Sequence, residues 1–273
     1  MKRHTQIFTT LTTALALGFV GSGISNASQV KGETSGDMNG IAEAMDRIES
    51  YDDSKVIESI VSPGGSIGDI SLGGGMITVP DSADQGVSFS SPTGSSLAVT
   101  PLSEKEWGRP LLMDDGGVTY LNDEGFAETV IVGEDSVQML TTILDASAPT
   151  EYRYRIEMQA GQKLQMVDSG PVVVSGNGDV DLIVRAPWAI DSHGNSVPTR
   201  FEVEGDVLTQ IVDHHTLSAD SYPVVADPVM VPAWLFRCLV GLGINSASII
   251  QSAQMGSFWG VFAKAIWHCV RGR

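Results

Sequence analysis

Cysteine is nearly absent from this chain: two residues in 273, Cys238 and Cys269. That number excludes a disulfide-dense miniprotein and any zinc module built on four cysteines. Positive charge is scarce too, with 16 Lys+Arg against 33 Asp+Glu and a formal net charge of −17. Nucleic acid is therefore not an expected partner, because phosphate binding runs on clustered cations. Aromatic residues make up 7% and glycines number 30, which suits a β-rich, turn-rich domain better than a helical bundle. Local signatures of catalysis are missing as well. There is no Gly-x-Ser-x-Gly elbow. Gly73-Gly74-Gly75 precedes a strand instead of opening a helix, so it does not read as a phosphate cradle. The acids are scattered, without the regular spacing of a calcium loop. The sequence thus predicts a non-enzymatic protein with no cofactor and no metal site.

What is present begins with an export signal. Lys2, Arg3 and His4 form a positive start, residues 7–20 an apolar run, and Ser25 and Ala27 the small residues before a cleavage site after Ala27. No Arg-Arg pair points to the twin-Arg route and no lipobox points to a lipid anchor, so the general Sec route is expected. The competing reading, an uncleaved anchor helix, is disfavoured by the short apolar run. The compartment reached permits disulfides.

Four segments follow from the pattern: a signal at 1–27, a polar helical and Gly-rich segment at 28–75, a β module at 76–227, and a cationic apolar segment at 228–273. Residues 28–36 are polar and read as disordered. Ile41, Met45, Ile48, Val56 and Ile60 recur at helical spacing within 37–61, with Asp37 as an N-cap candidate. Residues 62–75 are rich in glycine and read as a linker or tight turns. From 76 onward the period becomes two. In 151–158, Tyr152, Tyr154, Ile156 and Met158 alternate with Glu151, Arg153, Arg155 and Glu157, the mark of an antiparallel strand with one buried face. Interleaved with those acids, Arg153 and Arg155 read as a solvated, charge-paired face rather than an anion site. Similar runs fall at 126–132, 136–144, 162–167, 171–175, 180–185, 199–204 and 207–212, divided by turn signals such as Gly176-Asn177-Gly178. The expected fold is mainly β, antiparallel and sandwich-like, with short N-terminal helices and a C-terminal α-helical hairpin or triplet.

Four stretches carry a resemblance: 141–152 (TTILDASAPTEY), 186–191 (APWAID), 197–203 (VPTRFEV) and 222–228 (YPVVADP). Over residues 86–228 the chain resembles a family of exported actinobacterial proteins with no assigned activity. The resemblance implies a Gram-positive exporter and a mostly β module. It implies no catalytic residues, and it carries little beyond residue 228.

His214 and His215 follow Asp213, and His193 follows Asp191. Imidazole and carboxylate suit zinc, but neighbours on a strand point to opposite faces. The expected role of this run is a strand end entering a polar loop.

The C-terminal segment departs most from the rest. All 33 acids lie at or before Asp227, while residues 228–273 carry Arg237, Lys264, Arg271 and Arg273. They also hold three of the five tryptophans, Trp234, Trp259 and Trp267. Three readings stay open. One is a helical hairpin packed on the β module. Another is a transmembrane anchor at 238–263, uncharged throughout but interrupted by seven polar residues. The third is a membrane- or partner-binding segment of bacteriocin-like layout, with Trp234, Arg237, Trp259, Lys264, Trp267 and Arg271 as the contact residues. A Cys238–Cys269 disulfide is the default after export. One straight helix would hold those cysteines tens of ångströms apart, against about 5.5 Å between Cα atoms in a bridge. A bridged segment therefore reverses direction, for which Gly256 to Gly260 is the best place, and an unbridged one is free to span.

Overall fold

Alternating apolar and polar side chains put most of the chain into strands, and antiparallel pairing of those strands builds two sheets. The computed structural model describes residues 39–48, 50, 55–61, 67–167, 170–237, 240, 243 and 245–254. The first sheet has seven strands. In spatial order they are β1 (Gly68–Leu72), β2 (Gly75–Val79), β3 (Val87–Ser90), β4 (Ser96–Leu102), β9 (Glu151–Met158), β15 (Val207–Val212) and β14 (Thr199–Glu204). The main path of the second sheet runs β10 (Lys163–Val167), β11 (Gly170–Val174), β12 (Val180–Val184), β17 (Val229–Pro232), β8 (Val137–Ile143), β7 (Phe126–Val132), β6 (Val118–Asn122) and β5 (Leu111–Leu112). Two short strands complete it: β16 (Val224–Ala226) pairs with β8 and with β13 (Ala189–Ile190). The expected mainly β, antiparallel, sandwich-like class is what the structure shows.

The sheets close over one core. Phe89, Val99, Tyr154 and Ile156 meet Val130, Met139, Ile143 and Leu182 there, all at most 2% exposed. The far face of the ten-stranded sheet is covered as well. Helix α1 (39–48) lays Ile41, Ala44, Met45 and Ile48 onto Ala127, Ile131, Leu140 and Val225. Phe236, with Ile249 of helix α2 (Ser246–Gln254), covers Val172, Ile183 and Val231. With cover on both sides, every residue of β7 and β8 is buried, and both strands are rich in apolar and β-branched residues.

Three expectations change in detail. Ile41, Met45 and Ile48 form the buried stripe of α1, but residues 55–61 are not helical. They run along the second sheet. Gln138 clamps them, its amide oxygen accepting from Ile57 N at 2.9 Å and its nitrogen donating to Lys55 O at 2.7 Å. Ile60 N reaches Val132 O at 2.9 Å. These side-chain and backbone partners replace the i−4 carbonyls a second helix would use. Next, the Gly-rich stretch read as a linker holds the β1–β2 hairpin over Gly68–Val79, with Gly73 and Gly74 at its turn; residues 62–66 lie outside the described residues. Last, strand structure continues past Asp227 to Pro232. Of the expected C-terminal hairpin or triplet, the described residues contain α2.

Candidate functional site

The residues leading into the C-terminal segment are built into the second sheet. Thr141–Ile143 of β8 pair with β16, and Gln138 and Val137 of the same strand pair with β17. Asp227 and Pro228 make the step between the two short strands. Asp227 is fully buried. Its Oδ1 accepts from the Trp188 backbone N–H at 2.9 Å and from the Gln210 amide at 3.3 Å, while its own N–H donates to Trp188 O at 3.3 Å. Gln210 belongs to the first sheet and also reaches Thr199 Oγ1 at 3.1 Å. One carboxyl therefore ties the 186–191 loop, the first sheet and the β16–β17 step together. Residues 141–143, Trp188, Thr199 and residues 224–227, far apart in the chain, are brought together here.

A second carboxyl lies in the same core. Glu128 of β7 is 1% exposed, and its Oε2 accepts from Thr141 Oγ1 at 3.0 Å and from Tyr154 OH at 3.4 Å. Burial pushes Glu128 up to about 8 and Asp227 up to about 7, in each case against the opposing pull of their hydrogen bonds. Glu128 Oε1, Asp227 Oδ2, Tyr152 OH and Gln210 Oε1 are buried without a hydrogen-bond partner. The pattern alone held a signal for Glu128: it shares a strand face with Phe126, Val130 and Val132, where a charge has no business unless neutral or paired. Asp227 carried no comparable signal, since it sits between two short strands.

Beyond Pro232 the chain seats itself on the β1–β2 turn. Trp234 Nε1 donates to Leu72 O at 2.9 Å. The seat needs glycine. A Cβ on Gly75 would lie 2.4 Å from Trp234 Cε2, and one on Gly73, whose φ is +56°, would lie 2.2 Å from Leu235 Cδ2. Arg237 then donates to Thr93 Oγ1 at 2.7 Å and pairs with Asp181 at 3.3 Å. The Asp181 side chain is 5% exposed and also accepts from Gln162 at 2.8 Å. Trp234 and Arg237, expected to meet a membrane or partner, are thus engaged within the molecule. Cys238, Trp259, Lys264, Trp267, Cys269 and Arg271, with the cleavage site at Ala27, lie outside the described residues. No helix among the described residues is long and apolar enough to cross a membrane.

The histidine run lies where a strand end enters a loop, as expected. β15 stops at Val212, so His214 and His215 are on a turn, and their rings meet edge to face with centroids 4.7 Å apart. The opposite-face argument therefore does not apply to them. His214 is buried, its Nε2 at 2.8 Å from Pro149 O and its Nδ1 at 3.0 Å from Tyr222 OH. A carbonyl only accepts, so Nε2 carries a hydrogen, while the Tyr222 hydroxyl that faces Nδ1 donates to the His214 carbonyl at 2.8 Å. Burial holds the imidazole below its ordinary value. His215 Nε2 reaches Ala148 O at 3.0 Å. Among the described residues, no group of three His, Cys, Asp or Glu side chains is gathered as a metal site.

No family model matches the chain, and no curated protein is similar to it in sequence.

Proposed function

We propose that this is an exported, non-enzymatic protein of a Gram-positive bacterium, whose acidic β module is a scaffold carrying the cationic, Trp-containing C-terminal segment to a membrane surface. The docking of Trp234 and Arg237 carries this reading. A Gly-rich turn and the buried Asp181 grip the first aromatic and the first cation of the segment. The segment is thereby held at a defined place on an acidic body. Trp259, Lys264, Trp267 and Arg271 are left as the contact residues, with the interfacial chemistry of indole and cation. The Cys238–Cys269 bridge belongs to the same reading, since it would keep the segment compact.

The test is co-sedimentation with vesicles containing anionic lipid. The full mature chain is compared with a chain ending at Gln254 and with a full-length variant carrying alanine at Trp259, Lys264, Trp267 and Arg271. The full chain is expected to bind at least tenfold more tightly than either. Equal sedimentation of all three would overturn the proposal. Intact mass before and after alkylation reads the cysteines in the same samples, and two free thiols in a membrane-extracted species would support instead a surface protein anchored through 238–263.

A further inference from the structure

We propose that Asp227 and Glu128 form a proton-controlled latch at the β16–β17 step: protonated, they let the two sheets close over a dry core; ionised, they loosen the strand that leads into the C-terminal segment. The proposal rests on the reading above only for its consequence, because the latch itself is a property of the β module.

Geometry carries it. Both carboxyls are buried between the sheets, and each has one oxygen with no partner. Tyr154 is bonded to Thr141 at 2.7 Å and to Glu128 at 3.4 Å, and its hydroxyl is pushed up by burial first and by both acids after it. Glu128 borders two small cavities. One is lined also by Tyr120, Pro101 and Met139, the other by Phe126, Tyr152, Arg153 and Tyr154. The titratable groups facing Glu128 are therefore Tyr120 from β6, and Tyr152 and Tyr154 from β9. Arg153 is held by Glu151 at 2.7 Å on the exposed face and supplies no buried counter-charge. Around Asp227 stand Gln210 of β15, the Trp188 backbone, Tyr154 and one cation, Lys55. The Lys55 ammonium lies 5.6 Å above the Trp188 ring. No ion pair joins it to Asp227, so ionisation here leaves a buried carboxylate without a direct counter-ion. The positions of the two groups on the pH scale, near 7 and near 8, place that transition just above neutrality.

The sign follows. The native state holds protons that the unfolded or locally open state has released, so opening becomes easier as pH rises. Hydrogen–deuterium exchange of the full chain at pH 5 to 9, corrected for the intrinsic exchange rate, reads this directly. Protection of residues 224–232 and 126–132 is expected to fall as pH rises, up to about tenfold per pH unit for each ionising group, and then to level off above the second transition. The double variant Asp227→Asn, Glu128→Gln keeps the accepting oxygens and is expected to stay protected across the range. A wild-type profile without slope, or the same slope in the double variant, would overturn the latch. Should that variant not fold, carbon-13 titration of the two carboxyls in the wild-type chain decides. Midpoints near 4 would sink the proposal, and midpoints above 6 would support it. Vesicle binding plays no part in these readouts, so the two proposals can fail separately.

Discussion

At the residue scale, the consequential side chains are polar ones placed where water is absent. His214 is an example. Nothing in an Asp-His-His run says that one imidazole is buried and the other serves a neighbouring carbonyl; that follows from the turn after β15. Its depressed pKa has a definite consequence. The unfolded chain takes a proton on His214 at a higher pH than the native chain does, so its contribution to stability is present above about 6.5 and is lost as pH falls through the folded value. The urea midpoint of His214→Gln relative to that of the wild type is expected to rise as pH is lowered from 7.5 to 4.5. A difference that does not change with pH would mean that burial does not depress the His214 imidazole. The two core carboxyls act in the opposite direction, adding stability as pH falls, so separate variants are needed to resolve the contributions.

At the element scale, the β1–β2 hairpin receives the residues that follow β17. Its glycines look like linker material because no apolar period runs through them. The hairpin is recognisable only once Trp234 is seen lying on Gly75 and donating to Leu72. Gly75→Ala is expected to displace the indole and to cost about 1–3 kcal/mol, the usual cost of overpacking. The same substitution in a Trp234→Ala background should cost clearly less, because the clashing partner is gone. Urea unfolding of the four chains of that cycle measures the coupling, and strict additivity would show that the contact does not matter. Helix α1 teaches the complementary lesson. Its stripe of Ile41, Met45 and Ile48 was legible because it faces a surface along one side. Val56 and Ile60 continued the same spacing in the sequence, yet Gln138 holds that stretch against the second sheet without a helix, and Ile60 stays 42% exposed. Periodicity reports which residues can share a face; it cannot report which partner takes up the backbone hydrogen bonds.

At the scale of the whole molecule, the boundary between acidic module and cationic segment does not coincide with a structural boundary. Charge changes sign after Asp227, but β17 follows and sits between β12 and β8 in the ten-stranded sheet. A chain ending at Asp227 removes that strand and leaves β12 and β8 each without one neighbour. It is expected to be insoluble or to lose its cooperative unfolding transition, whereas a chain ending at Gln254 keeps β17, Trp234, Arg237 and α2 and should unfold cooperatively. Far-ultraviolet circular dichroism with urea titration distinguishes them; a folded 1–227 chain would show that β17 is dispensable. By itself the sequence determined the β class, the spans of most strands from β7 to β15, the buried stripe of α1 and the sign of charge along the chain. All of these depend on spacing between near neighbours, or on composition. Only the tertiary structure decided that Asp227 and Glu128 share one core, that His214 is enclosed, that 55–61 is held along the second sheet without a helix, and that the Gly-rich stretch near residue 73 receives Trp234. Each of those depends on contacts between residues far apart in the chain, and no local pattern encodes where two distant segments will meet.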